Sequence, residues 1–421
     1  MSDGTAATAN EAGKAGDTPH AKGSVLEVLA VSTRLGLTSF GGPVAHLGYF
    51  REEYVRRREW ISEDAYADLV ALCQFLPGPT SSQVGVAIGI LRAGLPGAVA
   101  SWLGFTLPSA IILVAFAFGL QRLGVTDAGW LHGLKIAAVA VVANAVWGMA
   151  RSLAPDRERA TVAILSAIVV LVWPGAPGQV LVIALAGLIG WRLLGSSSSE
   201  TRVSLPPAIG RRTAIASIVV FLALLGVLPV LRQVVTNQAF LVFDSFFRVG
   251  SLVFGGGHVV LPLLQAEVVP PGWVTNEEFV AGYGAAQAVP GPLFTFAAYL
   301  GAVKHRPPNG IAGAAIALFA IYVPTFLMVV GALPFLSALR ARASFQAALR
   351  GINAAVVGLL LAALYHPVWT SAIKTSADLA LALVAFALLA LWSFPAWLVV
   401  LIAALGGSRS RSARREEKTA R

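Results

Sequence analysis

The chain has 421 residues, of which 57% are hydrophobic and only 12% are charged, and its mean hydropathy is +0.74. A soluble domain carries about 25% charged residues, so this composition excludes an ordinary soluble protein and indicates a membrane protein. The single cysteine, Cys73, excludes an internal disulfide and a cysteine-based metal cluster. We attribute the net charge of +10 to arginines that set membrane topology and to a basic tail, so we expect a lipid bilayer and no nucleic acid as partner.

Long apolar runs follow one another along the chain. A spanning helix needs about 20 apolar residues, so several runs are predicted to cross the membrane and the shorter ones to form tight hairpins. The runs lie at 97–120, 133–150, 160–173, 178–194, 213–231, 311–338, 352–365 and 378–406. Four further segments of helical length are interrupted by glycine or proline, at 24–50, 64–91, 240–264 and 277–303. The sequence therefore predicts an all-α polytopic membrane protein with broken helices.

An internal duplication covers both halves of the chain. "RLGLTSFGGP" at 34–43 returns as "RVGSLVFGGG" at 248–257 after a shift of 214 residues. After one single-residue gap, "PGP" at 77–79 returns at 290–292. We name the two Phe-Gly-Gly motifs (40–42 and 254–256) the FGG breaks and the two Pro-Gly-Pro motifs the PGP turns. One gap in about sixty aligned residues indicates two homologous units.

The duplication divides the chain into five predicted parts. Each repeat holds one FGG break and one PGP turn, and the connection between the repeats contains one extra apolar segment. The parts are a disordered tail at 1–23, an N-terminal repeat at 24–195, a linker with the extra transmembrane segment at 196–239, a C-terminal repeat at 240–406 and a basic tail at 407–421.

The extra apolar segment predicts that the second repeat is inverted in the membrane. An odd number of added crossings turns the following unit upside down, as in transporters with inverted repeats. The loop after the first FGG break, "REEYVRRREW", has four arginines, whereas its counterpart "QAEVVPPGW" has none. Basic loops prefer the cytoplasmic side, so we expect these equivalent loops to lie on opposite sides.

The broken helices predict an anion site. Backbone groups freed inside a bilayer survive only where they line a protein or water cavity, and the N-terminus of a half-helix offers free N–H donors with about half a positive charge. Arginines two turns before each FGG break and glutamines three residues before each PGP turn add polar groups. The candidate substrate-binding residues are Arg34, Gly41, Gly42, Gln74, Pro77, Gly78, Pro79, Thr80, Ser81, Arg248, Gly255, Gly256, Gly257, Gln287, Pro290, Gly291 and Pro292.

Each candidate also has a structural interpretation. The FGG break could be a packing notch, the PGP turn a kink, an arginine an interfacial anchor and a glutamine interhelical glue. His258 and Lys135 are candidates for ion coupling, and Lys135 could equally anchor at the interface. Glu53 and Glu267 are expected at helix ends in the interface.

The stretch from "SFGGPVAHLGYFREEYVRRREW" to "LPGPTSSQVGVAIGILRAGLPGA" resembles the N-terminal domain of the chromate ion transporter family, and "FGGGHVVLPLLQAEVVPPGW" to "AVPGPLFTFAAYLGA" resembles its C-terminal domain. The resemblance covers both halves, as in the long form of the family. It implies a multi-pass protein of the bacterial cytoplasmic membrane that exports chromate and thereby gives resistance, with sulfate as a related substrate. Alternating access at a midplane site between the repeats would suit such a transporter.

Other functions stay open at this stage. Uptake of sulfate or another oxyanion, and an anion channel, are alternatives that the sequence does not separate. We do not expect an enzyme, because a reductase needs a redox group and the chain has one cysteine and six scattered histidines. No cofactor and no metal are expected, and a homodimer is left open.

Overall fold

The computed structural model describes residues 23–123, 129–194, 209–254, 257–335 and 342–406. All regular structure in these ranges is helical, without a strand. Five helices are long and apolar enough to cross a membrane: Thr80–Arg122, Gly129–Leu153, Arg211–Leu231, Gly310–Phe335 and Ala343–Ala372. The predicted class, an all-α polytopic membrane protein, is confirmed.

The first half contains seven helices. They are α1 (Val25–Thr38), α2 (Gly42–Phe50), α3 (Glu63–Phe75), α4 (Thr80–Leu123), α5 (Gly129–Leu153), α6 (Arg157–Val172) and α7 (Ala176–Leu193). A π-helical stretch, Arg51–Arg57, continues α2. Ser62 caps α3 by accepting from the amide of Ala65, and Asp156 caps α6 by accepting from that of Arg159.

Among the residues that the structure describes, these seven helices are followed by one connecting helix and, in the second half, by eight helices of eight or more residues. The connecting helix is α8 (Arg211–Leu231), and the second half contains α9 (Gln238–Leu252), α10 (Val260–Val268), α11 (Asn276–Ala288), α12 (Phe296–Val303), α13 (Gly310–Ala332), α14 (Ala343–Ala363), α15 (Ser376–Ala390) and α16 (Ala396–Gly406). Short 3₁₀ turns precede α10 and α12, and a π-helical stretch follows α14. Only 17% of the most apolar window of α8 is buried inside the protein, as expected for a helix that faces lipid.

The helix order of the first half recurs in the second. The long helix α4 corresponds to two helices of the second half, α12 and α13. Ala93 and Gly94 leave helical geometry (φ −141° and 67°), so α4 is two helices that meet at a sharp bend. A Cβ on Gly89 would lie 2.4 Å from the carbonyl oxygen of Gly97, so the chain doubles back there. In the second half α12 and α13 make the same hairpin, with Gly301 and Gly313 in equally close contact.

Two half-helices lie inside the protein. The first part of α4 has roughly 13 residues and reaches about 20 Å, less than the about 30 Å thickness of the hydrocarbon core. The shorter α12 is buried along its whole length. The first begins directly after a PGP turn and the second follows its PGP turn through a short 3₁₀ turn, so these PGP turns lie within the fold rather than at its surface.

The last apolar run, 378–406, differs from the expectation of one continuous segment. The structure divides it into α15 and α16, and Phe394 donates a backbone hydrogen bond of 2.9 Å back to Leu388. Ser393 has a positive φ of 54°, and Pro395 directly precedes α16. The hydropathy pattern missed this turn because Trp392 and Phe394, on either side of Ser393, are themselves apolar.

Candidate functional site

Each FGG break ends one helix and begins another. In the first repeat Ser39 is extended after α1, and Gly41 and Gly42 have φ values of 99° and 78°, which an L side chain rarely adopts. Proline 43 then stands in the first turn of α2, where its missing N–H costs nothing. In the second repeat Val253 is extended after α9 and a 3₁₀ turn starts at Gly257. Gly255 and Gly256 lie outside the described residues.

Each PGP turn has the same construction. Leu76 and Val289 are extended after α3 and α11, and the central glycines, Gly78 and Gly291, have φ values of 126° and 95°. The half-helix that follows starts at Thr80 in the first repeat, whereas in the second a 3₁₀ turn from Leu293 leads into α12.

The PGP turn of each repeat is joined to the FGG break of the other. The N–H of Gly78 donates to the carbonyl of Val253 across 2.7 Å, and the N–H of Gly291 donates to the carbonyl of Ser39 across 2.9 Å. Ser39 and Val253 are repeat equivalents, as are the two glycines. A two-fold relation between the repeats produces such reciprocal contacts, and it brings the four breaks together at one place.

A second reciprocal contact surrounds the same glycines. A Cβ on Gly78 would lie 2.8 Å from Gln83 Nε2 and 3.1 Å from Thr325 Oγ1, and a Cβ on Gly291 would lie 2.9 Å from Ser109 Oγ. Ser109 and Thr325 each follow a proline inside a long helix, Pro108 in α4 and Pro324 in α13. Each PGP turn is thus enclosed by a hydroxyl of the opposite repeat, and there is no room for a side chain.

Two histidines lie beside these turns. His46 of α2 is 1% exposed, its Nδ1 lies 3.3 Å from Ser81 Oγ, and its Nε2 has no hydrogen-bond partner. His258, after the other FGG break, has its Nδ1 2.9 Å from the hydroxyl of Tyr283. A Cβ on Gly42 would lie 3.7 Å from His258 Nε2, so this imidazole faces the start of α2.

The two predicted arginines are both held by buried carboxylates. Arg34 pairs with Glu53, which is 3% exposed, and Arg248 pairs with Glu267 at 2.8 Å, which is 7% exposed. The arginines are repeat equivalents, and so are the glutamates. Each glutamate is buried inside the protein and anchors an arginine, and its expected position at the membrane interface stays a prediction.

Further charged groups extend both ion pairs. Glu53 also accepts from Arg58 at 2.6 Å and from Arg57 at 3.4 Å. In the second repeat Arg248 also contacts Asp244, at 3.2 Å, and Asp244 accepts from Arg232 at 2.8 Å. Among the residues named here, the first network has three arginines and one carboxylate, whereas the second has two arginines and two carboxylates. The first network is therefore the more positive one, as is the loop after the first FGG break.

The geometry at the start of α4 suits an anion. The first turn of α4 carries unbonded backbone N–H groups, as every helix start does, and three buried hydroxyls, those of Thr80, Ser81 and Ser82. Donors of this kind, with the positive end of the helix dipole, stabilise negative charge away from water.

Comparison with known proteins agrees with this chemistry. The sequence model of the family described as chromate transporter matches residues 26–191 and 240–408, one segment in each half. The chain belongs to the chromate transporter family. A chromate transport protein of Pseudomonas aeruginosa is 29% identical over 343 residues, 79% of each chain.

Two further relatives match over a similar share of the chain. A chromate transport protein of Cupriavidus metallidurans is 25% identical and covers 78% of this chain and 79% of its own length. An uncharacterized transporter of the archaeon Methanocaldococcus jannaschii is 25% identical and covers 80% and 83%. No solved structure matches the chain.

The structure brings most of the predicted site residues of this transporter together, but not all. Gly41, Gly42, Thr80, Ser81 and both PGP turns lie where the repeats meet, and Gln287 lies one turn after Tyr283 on α11. Gln74 is instead exposed and lines a surface cavity of about 380 Å³ with Arg51, Glu63 and Tyr66. Lys135 lies partly buried in α5. The binding roles of all these residues stay predictions.

Sequence reasoning missed His46, Ser109 and Thr325. His46 has no polar counterpart, because its repeat equivalent is Val260, and a search for repeated polar residues passes over it. Ser109 and Thr325 did carry a signal, since a Pro-Ser and a Pro-Thr pair recur in equivalent long helices. Both residues lie inside apolar runs, where a hydropathy pattern does not distinguish them.

Proposed function

We propose that this protein is a secondary transporter that exports chromate across the bacterial cytoplasmic membrane by alternating access. The observation that carries the proposal is the reciprocal pair of hydrogen bonds, Gly78 to Val253 and Gly291 to Ser39. A site assembled from both repeats can open to either side when one repeat rocks against the other.

The substrate class follows from the electrostatics of the helix starts. An unpaired dianion in a low-dielectric site is far too costly, so fixed positive potential must meet it. Each half-helix start supplies about half a positive charge, and buried hydroxyls supply donors for tetrahedral oxygens. Chromate and sulfate share charge and shape, so we propose sulfate as a competing substrate.

In this proposal Arg34 and Arg248 position the helices rather than bind the anion. Each guanidinium already donates to a buried carboxylate, which fixes it where it lies. The loop after the first FGG break has four arginines and its equivalent in the second repeat has none. This difference supports inverted repeats, with Arg57 on the cytoplasmic side.

Transport by inverted membrane vesicles tests the function. We expect vesicles with this protein to accumulate labelled chromate, excess sulfate to reduce that uptake, and collapse of the pH gradient to abolish it if protons are the coupling ion. Vesicles with Gly78→Ala would be inactive, whereas Gly226→Ala, in α8 with nothing within 4 Å of the added Cβ, would match the parent. Accumulation only in right-side-out vesicles would establish uptake instead of export. Flux that follows the salt gradient with single-channel currents would establish a channel.

A further inference from the structure

The two PGP turns have the same backbone but different side chains. After the first turn come Thr80, Ser81, Ser82 and Gln83, and the equivalent positions after the second hold Leu293, Phe294, Thr295 and Phe296. The first turn is thus followed by three hydroxyls and an amide, whereas the second is followed by one hydroxyl and three apolar side chains. Two sites related by exact symmetry would not differ in this way.

Aromatic rings fill the second turn. Phe296 packs against Phe279 and Tyr283 at 5.2 and 5.7 Å between ring centroids, and Phe294 packs against Tyr322 at 5.8 Å. The hydroxyl of Thr295 donates to the carbonyl of Pro292 across 2.8 Å, so it is already used. The N–H of Gly291 is bonded to Ser39. The side chains that follow the second PGP turn therefore serve mainly to pack the repeats together.

The first turn, in contrast, has an unused polar group next to it. His46 is buried, Ser81 occupies its Nδ1 side, and its Nε2 has no partner. Burying a polar atom without a partner is unfavourable, so an imidazole nitrogen that has no hydrogen bond and lies beside a helix start points to a ligand.

The second repeat contributes its own imidazole to the same place. His258 has the hydroxyl of Tyr283 on its Nδ1 side, which leaves Nε2 near the start of α2, the helix that carries His46. When each hydroxyl donates to Nδ1, both Nε2 atoms carry the proton and can donate.

We infer that the oxyanion site is asymmetric: one tetrahedral oxyanion binds at the first turn of α4 and receives hydrogen bonds from Ser82, His46 Nε2 and His258 Nε2, while the second PGP turn only holds the repeats together. The Ser82 hydroxyl can donate to the anion because the Tyr322 hydroxyl, 3.4 Å away, can donate to Ser82. This inference rests on the proposed function and assigns the ligands of that same site. A donor from each repeat lets the bound anion link the two units during the transport cycle.

Equilibrium binding of labelled chromate to the purified full-length protein in lipid nanodiscs tests the assignment, with unlabelled sulfate as competitor. We expect His46→Phe and His258→Phe, which keep a planar ring without a donor, each to weaken binding about tenfold, as loss of a hydrogen bond to a charged ligand does. Ser82→Ala should weaken it several-fold, because it removes a hydroxyl from the first turn. Its matched control is the repeat-equivalent Thr295→Val, which should bind within about twofold of the parent.

The outcomes separate this inference from the function. A parent protein that binds neither chromate nor sulfate overturns both. A parent that binds, together with histidine variants of unchanged affinity, overturns the assignment alone, and so does a Thr295→Val variant as weak as Ser82→Ala. If a histidine variant is not monodisperse, the comparison of Ser82→Ala with Thr295→Val still decides whether the site is asymmetric.

Discussion

The amide of Gly78 donates to the carbonyl of Val253 across 2.7 Å, from the PGP turn of one repeat to the FGG break of the other. Its repeat equivalent, Gly291 to Ser39, has nearly the same length at 2.9 Å. In both contacts, a backbone group freed by a break in one repeat finds its hydrogen-bond partner in the other repeat. The backbone groups that a broken helix frees are therefore satisfied between the repeats, as a bilayer interior requires.

Co-expression of separated halves tests this mutual completion. We expect chains 1–199 and 200–421, divided in the polar connection before α8, to restore chromate transport when produced together and to be inactive alone. A second half with Gly291→Ala should fail to complement although it is produced at the same level. Transport by either half alone would contradict the arrangement.

Alanine at the turn glycines should abolish transport. Gly78 and Gly291 adopt positive φ, which costs an L residue about 1–2 kcal/mol, and the added Cβ would lie 2.8 and 2.9 Å from its nearest atoms. Gly148→Ala, in α5 with nothing within 4 Å, is the matched control and should keep or slightly raise stability. The measurements are vesicle transport and the midpoint of thermal unfolding. Equal transport by all three variants would show that the turns have free space.

The two repeat-equivalent arginines should differ in their effect on stability. Arg248→Gln leaves buried Glu267 with Arg232, 3.9 Å away, as its partner in the described part of the second network. Loss of a buried ion-pair partner costs about 3 kcal/mol. Arg34→Gln leaves Glu53 with Arg58 and Arg57, so we expect a loss of about 1 kcal/mol.

Thermal unfolding of the purified variants measures this difference. The double substitution Arg248→Gln with Glu267→Gln should recover part of the loss, since it removes the uncompensated carboxylate. Lysine at either position should retain more stability than glutamine, because it keeps the charge but not the planar fork. An unchanged midpoint for Arg248→Gln, with weakened chromate binding, would instead place this arginine among the anion ligands.

Accessibility labelling tests the inverted topology. In a protein with Cys73, which is buried, replaced by alanine, we expect Arg57→Cys to be labelled from the cytoplasm and Pro271→Cys from the outside. Both positions are exposed and belong to equivalent loops. Both should react in permeabilised cells, which controls for access. Labelling of both from one side would mean parallel repeats.

The sequence by itself determined the membrane class, the two repeats and the positions where the helices stop. These properties depend on local chemistry. Apolar runs partition into lipid, and the paired glycines at 41–42 and the Pro-Gly-Pro motifs at 77–79 and 290–292 favour a helix end, whereas the single prolines Pro108 and Pro324 stay inside helices. For the same reason local patterns failed at Ser393, where apolar neighbours conceal a turn.

Only the tertiary structure decided which groups meet. The repeat pattern showed two FGG breaks and two PGP turns, but it did not show that each turn is completed by the break of the opposite repeat. The repeat pattern was also compatible with Arg34 and Arg248 facing an anion, whereas in the structure they form ion pairs with Glu53 and Glu267. His46 gained its significance only from its neighbours, because a lone histidine in an apolar helix has no periodic signal. Hydrogen bonds and ion pairs between distant residues depend on how helices pack, and hydropathy and spacing do not encode that packing.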